Sequence, residues 1–378
     1  MATLEGLEGL EGLEGLEGLE GLEGLEGLEG LLANRRSPMG ALISHRDGIV
    51  GSWFKLGSSW NTAEFNVGER DNLARWDARI RRFVFESELL SCLHFSADKA
   101  SETATLFHGE LKATTPLTTE WKELVKVVRP DQDTVLRKGQ LDLVNGYADL
   151  RGDRAREIAS QMTVQFPFWS SIVPLYPARH PKTFEVIHMV LRLAKYVEMN
   201  FKNALCVRRP HELSAQVQPI IQTPAHGSFP SGHCTEAHAV AGVLFELVTD
   251  AKTPNADVQL RQQLMRQAAR IAINRTVAGV HYPIDSMVGQ MLGLILGKYF
   301  IKRCVGSGPV QSVTFDGTNY PDAQDFSGSE IYKADTGSFE PKVPSTSTTP
   351  YFATGSNVTV GKATMLSWLW DRAKEEWP

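Results

Sequence analysis

The chain has 378 residues, 42% hydrophobic and 22% charged, with a formal net charge of −5, a balance that excludes collagen-like, disulfide-scaffold and wholly disordered proteins. Residues 4–30 are nine copies of Leu-Glu-Gly without a Lys or Arg, and setting their nine Glu aside turns the net charge of the rest to +4. That has neither the basic bias of a nucleic-acid binder nor the charge of a solvating tail, so no nucleic-acid partner is expected.

Taken in order, the repeat comes first. Its three-residue apolar period fits neither helix nor strand, and a Gly at every third position penalises helix. Residues 1–37 therefore read as a low-complexity tail, disordered or added ahead of a natural start at Met39. Residues 38–304 read as a helical catalytic domain. Within it, Ser160 to Ala178 is uncharged but broken by Pro167, Pro174 and Pro177. From Pro181 to Cys206, apolar residues recur at three- and four-residue spacing from Phe184 to Ala204, the pattern of an amphipathic helix. Similar patterns cover Glu236–Thr249, Asp257–Ile273 and Ser286–Arg303. Strand-like alternation is scarce, so the expected fold class is all-α, a helical bundle. Residues 305–378 read as an irregular extension rich in Gly, Ser, Thr and Pro, ending in a short docking helix over Thr364–Trp377.

The uncharged run Ser286–Gly297 reaches only about half of the ~20 residues a membrane span needs, and Lys298 closes it. No membrane span and no secretion signal are visible, so a soluble protein is expected, its compartment open. Cys92, Cys206, Cys234 and Cys304 are widely spaced with no CxxC pair, which argues for free thiols.

Three segments concentrate cations, imidazoles and a Gly-containing turn between residues 180 and 300. In the first, Lys202 and Arg209 stand seven apart ahead of Pro210; on one helix face they would offer an ammonium and a guanidinium fork to a multi-oxygen anion, or simply stabilise a helix end. In the second, Phe229-Pro230-Ser231-Gly232-His233 leads into a helix, with Ser231 as a natural N-cap and Gly232 permitting close backbone approach to an anion. His233 would stand beside that anion or serve as a cap. In the third, Asn274-Arg275 precedes His281 and Asp285, whose four-residue spacing lets the carboxylate accept one ring N–H and leave the other nitrogen free as a nucleophile or metal ligand.

The pattern Lys-x6-Arg-Pro, Pro-Ser-Gly-His and Arg-x5-His-x3-Asp resembles the superfamily shared by vanadium-dependent haloperoxidases and type 2 phosphatidic acid phosphatases. The resemblance implies an all-helical fold around an anion core at 180–300. It makes His281 the residue bonded to vanadium or to phosphorus, and Lys202, Arg209, Arg275, Ser231 and the Gly232 amide the holders of the oxygens. It makes His233 the general acid and base, with Asp285 steadying His281. Asn274 departs from it, because many members carry Ser there. Lipid-phosphatase members are membrane proteins, which favours a haloperoxidase or an acid phosphatase here. His226, five residues before Ser231, stands where bromoperoxidases of the family have His, although it also reads as a polar loop residue; Met199, three before Lys202, stands where a chloroperoxidase relative has Trp. The resemblance thus implies vanadate as cofactor, hydrogen peroxide and bromide or iodide as substrates, His226 in the halide pocket, and a homo-oligomer as in many relatives. The alternative is an acid phosphatase working through a phosphohistidine.

Overall fold

The computed structural model describes residues 45–46, 48–52, 67–112, 118–163, 165–249, 254–306 and 308–377; the Leu-Glu-Gly repeat and the whole expected tail 1–37 lie outside the described residues. The chain divides into two compact units, Met1–Arg81 and Arg82–Pro378. In the first, a 3₁₀ turn spans Arg70–Arg75, and the Arg81 guanidinium donates to the Trp76 carbonyl at 2.6 Å. Helix α1 (Ala78–Leu90) begins there and runs on into the second unit.

The all-α expectation is overturned. The structure is about 52% helical with 16% strand, and five of its strands form one mixed sheet. Strands β1 (Leu93–Asp98), β2 (Thr103–Lys112) and β3 (Thr118–Val128) make an antiparallel meander. Strand β4 (Gly308–Asp316) lies parallel to β3, with Val125 opposite Val313 and Val127 opposite Phe315. The two-residue strands β5 (Tyr332–Lys333) and β6 (Ser338–Phe339) pair with each other, and β7 (Phe352–Val360) adds to β4 antiparallel. Two physical reasons hid the sheet. In β2 the polar–apolar alternation lasts only from Thr103 to Leu106 before Phe107, His108 and Gly109 interrupt it, too short a run to mark a ten-residue strand. The pairing of β3 with β4 joins segments far apart in sequence, and strand preference depends on such partners. The expected irregular extension 305–378 accordingly contributes two strands of the main sheet, although 317–351 is irregular apart from β5 and β6.

Short helices follow β3. After an irregular helical stretch at Gln132–Gln140 come α2 (Leu141–Gly146), α3 (Arg151–Ser160) and α4 (Phe166–Ser170). The main helices are α5 (Pro181–Leu205), the short α6 (Pro210–Leu213), α7 (Gly232–Val248), α8 (Pro254–Val277) and α9 (Pro283–Val305). Periodicity located the four long ones, but each of α7, α8 and α9 starts at least three residues earlier than its apolar pattern, which in α7 and α9 brings motif residues to the helix N-termini, whereas Arg275 stands in the last turn of α8. Helix α9 is buried almost throughout. It lies unusually close to α7 because glycines face that helix: a Cβ at Gly289 would sit 2.7 Å from the Ser231 carbonyl oxygen, and one at Gly297 would sit 3.0 Å from that of Ala239.

The C-terminal helix α10 (Thr364–Lys374) buries Leu366, Trp368, Leu369 and Trp370. The Glu88 carboxylate accepts from the Met365 and Leu366 amides, both at 2.9 Å. Glu376 in turn accepts from the Lys182 and Thr183 amides at 2.6 and 2.8 Å, capping the N-terminus of α5. The end of the chain thereby holds the helix that carries Lys202. All four cysteines are free.

Candidate oxyanion site

The site lies where the C-terminal end of α5 and the N-termini of α7 and α9 meet. Lys202 stands in the last turn of α5, and its ammonium donates to the carbonyls of Gly227 and Ser228, each at 3.2 Å. The helix stops at Leu205, and Cys206 adopts a left-handed conformation with φ 46°. Arg209 is therefore not two turns along the same helix, as its spacing suggested. It sits in extended backbone ahead of Pro210, which starts α6. Arg209 and Lys202 converge because the loop 226–228 offers both of them carbonyls: Arg209 Nε donates to His226 O at 2.9 Å, and its Nη1 donates to Val280 O at 3.0 Å.

Ser231 occupies the N-cap position of α7, but its hydroxyl makes no capping bond. The Ser231 amide donates to the Asp285 carbonyl at 3.0 Å, joining the first turns of α7 and α9. Its hydroxyl oxygen is buried with no hydrogen-bond partner, a costly arrangement that a bound acceptor or donor would relieve. His233, one residue into α7 from Gly232, has its Nε2 3.1 Å from the Gln161 carbonyl oxygen. A carbonyl only accepts, so Nε2 carries the proton and Nδ1 is the basic nitrogen. On α8, Arg275 Nη2 donates to the Ile158 carbonyl and to Gln161 Oε1, both at 3.1 Å.

His281 precedes α9, and Asp285 is the third residue of that helix. The Asp285 Oδ2 accepts from His281 Nδ1 at 2.9 Å and from the Tyr282 amide at 3.1 Å. His281 Nε2 is thus left as the lone-pair nitrogen. The Gln140 side chain accepts from the Ile284 amide at 2.9 Å and fixes the start of this helix.

Lys202, Arg209 and Arg275 are 3%, 1% and 0% exposed. Three cations so deeply buried make the region strongly favourable to an anion. The imidazoles report the same field. Burial, followed by the charges of Arg209 and Lys202 and the neighbouring His233 and His226, holds His281 well below the usual histidine range. Burial and the charge of Arg275 do the same to His233, so both rings are neutral at neutral pH. Half-buried His226 is lowered to about 4 by burial and by Lys202; its Nδ1 lies 3.4 Å from Arg209 Nη2. Burial pushes the Asp285 carboxyl up to about 7, against the pull of the Tyr282 amide, Lys202 and Arg209.

All nine residues expected from the sequence are therefore brought into one region, His226 at its more open side. Four others were missed. Glu198 on α5 is fully buried and packs on Gly232, where a Cβ would meet its Oε1 at 2.6 Å; Lys195 links it, at 3.2 Å, to Glu236 on α7, at 3.0 Å. Its position one turn before Lys202 was the available signal. Gln161, Glu157 and Ser228 belong to no motif, and nothing in their local sequence marks them. His238, by contrast, is a buried structural residue, with Nδ1 2.9 Å from the Cys234 carbonyl and Nε2 3.3 Å from the Gln290 amide nitrogen.

The donor set fits a tetrahedral oxyanion such as vanadate or phosphate: a buried hydroxyl without a partner, three buried cations and one imidazole presenting a lone pair. Among the described residues no group of three or more His, Cys, Asp or Glu converges as a bare cation would require. None of the described helices is long and apolar enough to cross a membrane. No curated protein gives a significant match to the chain. Residues 186–305 match the model of the PAP2 superfamily, and that span contains Lys202, Arg209, His226, Ser231, Gly232, His233, Arg275, His281 and Asp285. Over residues 186–305 the chain is therefore similar to the PAP2 superfamily, which includes phosphatases and haloperoxidases.

Proposed function

We propose that the protein is a vanadate-dependent haloperoxidase that oxidises bromide or iodide with hydrogen peroxide to hypohalous acid. The observation that carries this branch is His226, half-buried and 3.4 Å from the guanidinium of Arg209 on the open side of the cradle. Its position supports a role in the halide pocket. Vanadate, when bound, supplies Lewis-acid activation of hydrogen peroxide without changing oxidation state. His281 Nε2 would hold the metal, and Lys202, Arg209, Arg275, the Ser231 hydroxyl and the Gly232 amide would hold its oxygens.

Halide, hydrogen peroxide and one proton give hypohalous acid and water. His233 is neutral and basic at Nδ1, so it can take a proton from the incoming peroxide and return it to the departing oxygen. Lys202 draws electron density from the oxygen that the halide attacks. Met199 in place of an indole ahead of Lys202 leaves a less polarised site, which favours bromide or iodide over chloride.

A second reading rests on the His281–Asp285 pair. A neutral imidazole with Nδ1 bonded to a buried carboxylate is also poised to attack phosphorus at Nε2, after which His233 would protonate the leaving alcohol. One experiment separates the two: halide oxidation by the purified protein with hydrogen peroxide, before and after orthovanadate, with phosphate as competitor. Bromide or iodide oxidation that requires vanadate and is suppressed by phosphate is the expected result. Absence of oxidation together with vanadate-inhibited hydrolysis of an aryl phosphate would overturn the haloperoxidase reading and establish the phosphatase.

A further inference from the structure

Gln161 caps the C-terminus of α3, outside the span 186–305, yet it touches two groups of the cradle at once. Its main-chain carbonyl accepts from His233 Nε2 at 3.1 Å. Its side-chain Oε1 accepts from Arg275 Nη2 at 3.1 Å and from Asn274 Nδ2 at 2.9 Å, while its own Nε2 donates to Glu157 Oε1 at 3.2 Å. This fixes the orientation of the amide, because the reverse would set its NH2 against the N–H groups of Asn274 and Arg275.

The second layer is as fully bonded. Asn274 Nδ2 also donates to Glu157 Oε1 at 2.9 Å, and its Oδ1 accepts from Arg154 Nη1 at 3.0 Å. Glu157 then takes both nitrogens of the Arg270 fork, at 2.7 and 2.6 Å. A chain of hydrogen bonds thus runs from an ion pair at the surface to the cradle. Gln161 and Asn274 are both 0% exposed, and a buried polar network of this kind is rigid only while every member is satisfied. Asn274, where the superfamily pattern often has Ser, is the member that bridges Glu157 to Gln161.

We propose that Gln161 is a positioning residue for the oxyanion chemistry of the cradle, aiming Arg275 through its amide oxygen and setting the tautomer of His233 through its carbonyl, with Asn274 and Glu157 as its brace. An amide is neutral, so it orients the guanidinium without cancelling the charge that the anion needs. The carbonyl assigns the proton of His233 to Nε2 and leaves Nδ1 as the nitrogen that exchanges protons. The proposal rests on the oxyanion reading of the site and applies to either branch of it.

The test uses the full chain with inorganic phosphate and orthovanadate as probes. Gln161→Met keeps the length and removes the acceptor; Glu157→Gln weakens the brace. Calorimetric titration should show phosphate bound about tenfold more weakly by Gln161→Met and a few-fold more weakly by Glu157→Gln. In the ¹⁵N spectrum of the histidine-labelled wild type, His233 should be the Nε2–H tautomer, a readout independent of turnover and of either variant's folding. Wild-type affinity in both variants, or an Nδ1–H tautomer of His233 in the wild type, would overturn the positioning role while leaving the oxyanion reading intact. Failure of the wild type to bind either anion would overturn both.

Discussion

Helix α5 carries two buried charge clusters one turn apart, and they are built on opposite principles. At Lys202 the cluster is cationic: Arg209 and Arg275 are buried in the same region, and the charges of Lys202 and Arg209 act on the buried Asp285 carboxyl. At Glu198 the cluster is anionic, because Lys195 lies 3.2 Å from Glu198 and 3.0 Å from Glu236, one ammonium between two carboxylates. The shared ammonium braces α5 against α7. Buried cations beside a buried hydroxyl without a hydrogen-bond partner fit an oxyanion. The two communicate: burial lifts the Glu198 carboxyl to about 7, with Lys195 and Lys202 pulling it down and Glu236 pushing it up.

Three substitutions sharpen or break this contrast. The largest effect is expected from Lys202→Met, which removes a charged donor from the anion site; phosphate or vanadate affinity should fall about 10²-fold, as for loss of one oxyanion donor. Retained affinity in a calorimetric titration would show that the cationic cluster is structural. Lys195→Met should act on the fold instead. It strips the shared counterion from two buried carboxylates and, discounted for the 31% exposure of the lysine, should cost about 2 kcal/mol in denaturant unfolding at pH 8.

That cost has a pH signature with a definite sign. The folded Glu198 carboxyl, at about 7, lies above its ordinary value of 4.5, so the folded state holds the proton more tightly than the unfolded chain does. Its contribution to stability is full below pH about 4.5 and is lost as pH rises to about 7. The Lys195→Met deficit should therefore shrink toward pH 5. The smallest effect belongs to Glu198→Gln. Above pH 7 the wild-type carboxylate stands beside Gly232 and opposes an anion; the amide should raise phosphate affinity a few-fold at pH 8 and leave it unchanged at pH 5. A pH-independent effect of Glu198→Gln would place the carboxylate out of electrical reach of the cradle.

Much of the candidate site was legible because its signals are local. The His281 and Asp285 spacing leads into the first turn of one helix, Ser231 and Gly232 mark a helix start, and Pro210 marks a helix boundary. Arg209 is different, because it reaches the site through extended backbone and a shared loop rather than through helical spacing with Lys202. Gln161 could not be found at all, since what distinguishes it is contact with Arg275 and His233, more than seventy residues away in sequence.

The amino-acid sequence by itself determined the long helices, through apolar periodicity that each segment carries alone, and the identity of the cradle residues, through chemistry packed into short motifs. Tertiary structure decided the rest. The five-stranded sheet is completed because β3 pairs with β4 from the far side of the long helices in sequence, a pairing that neither strand encodes singly. The tautomer of His233, the aim of Arg275 and the balance between the two clusters on α5 depend likewise on groups that meet only after the chain has folded, because hydrogen bonds and charges act through space and not along the backbone.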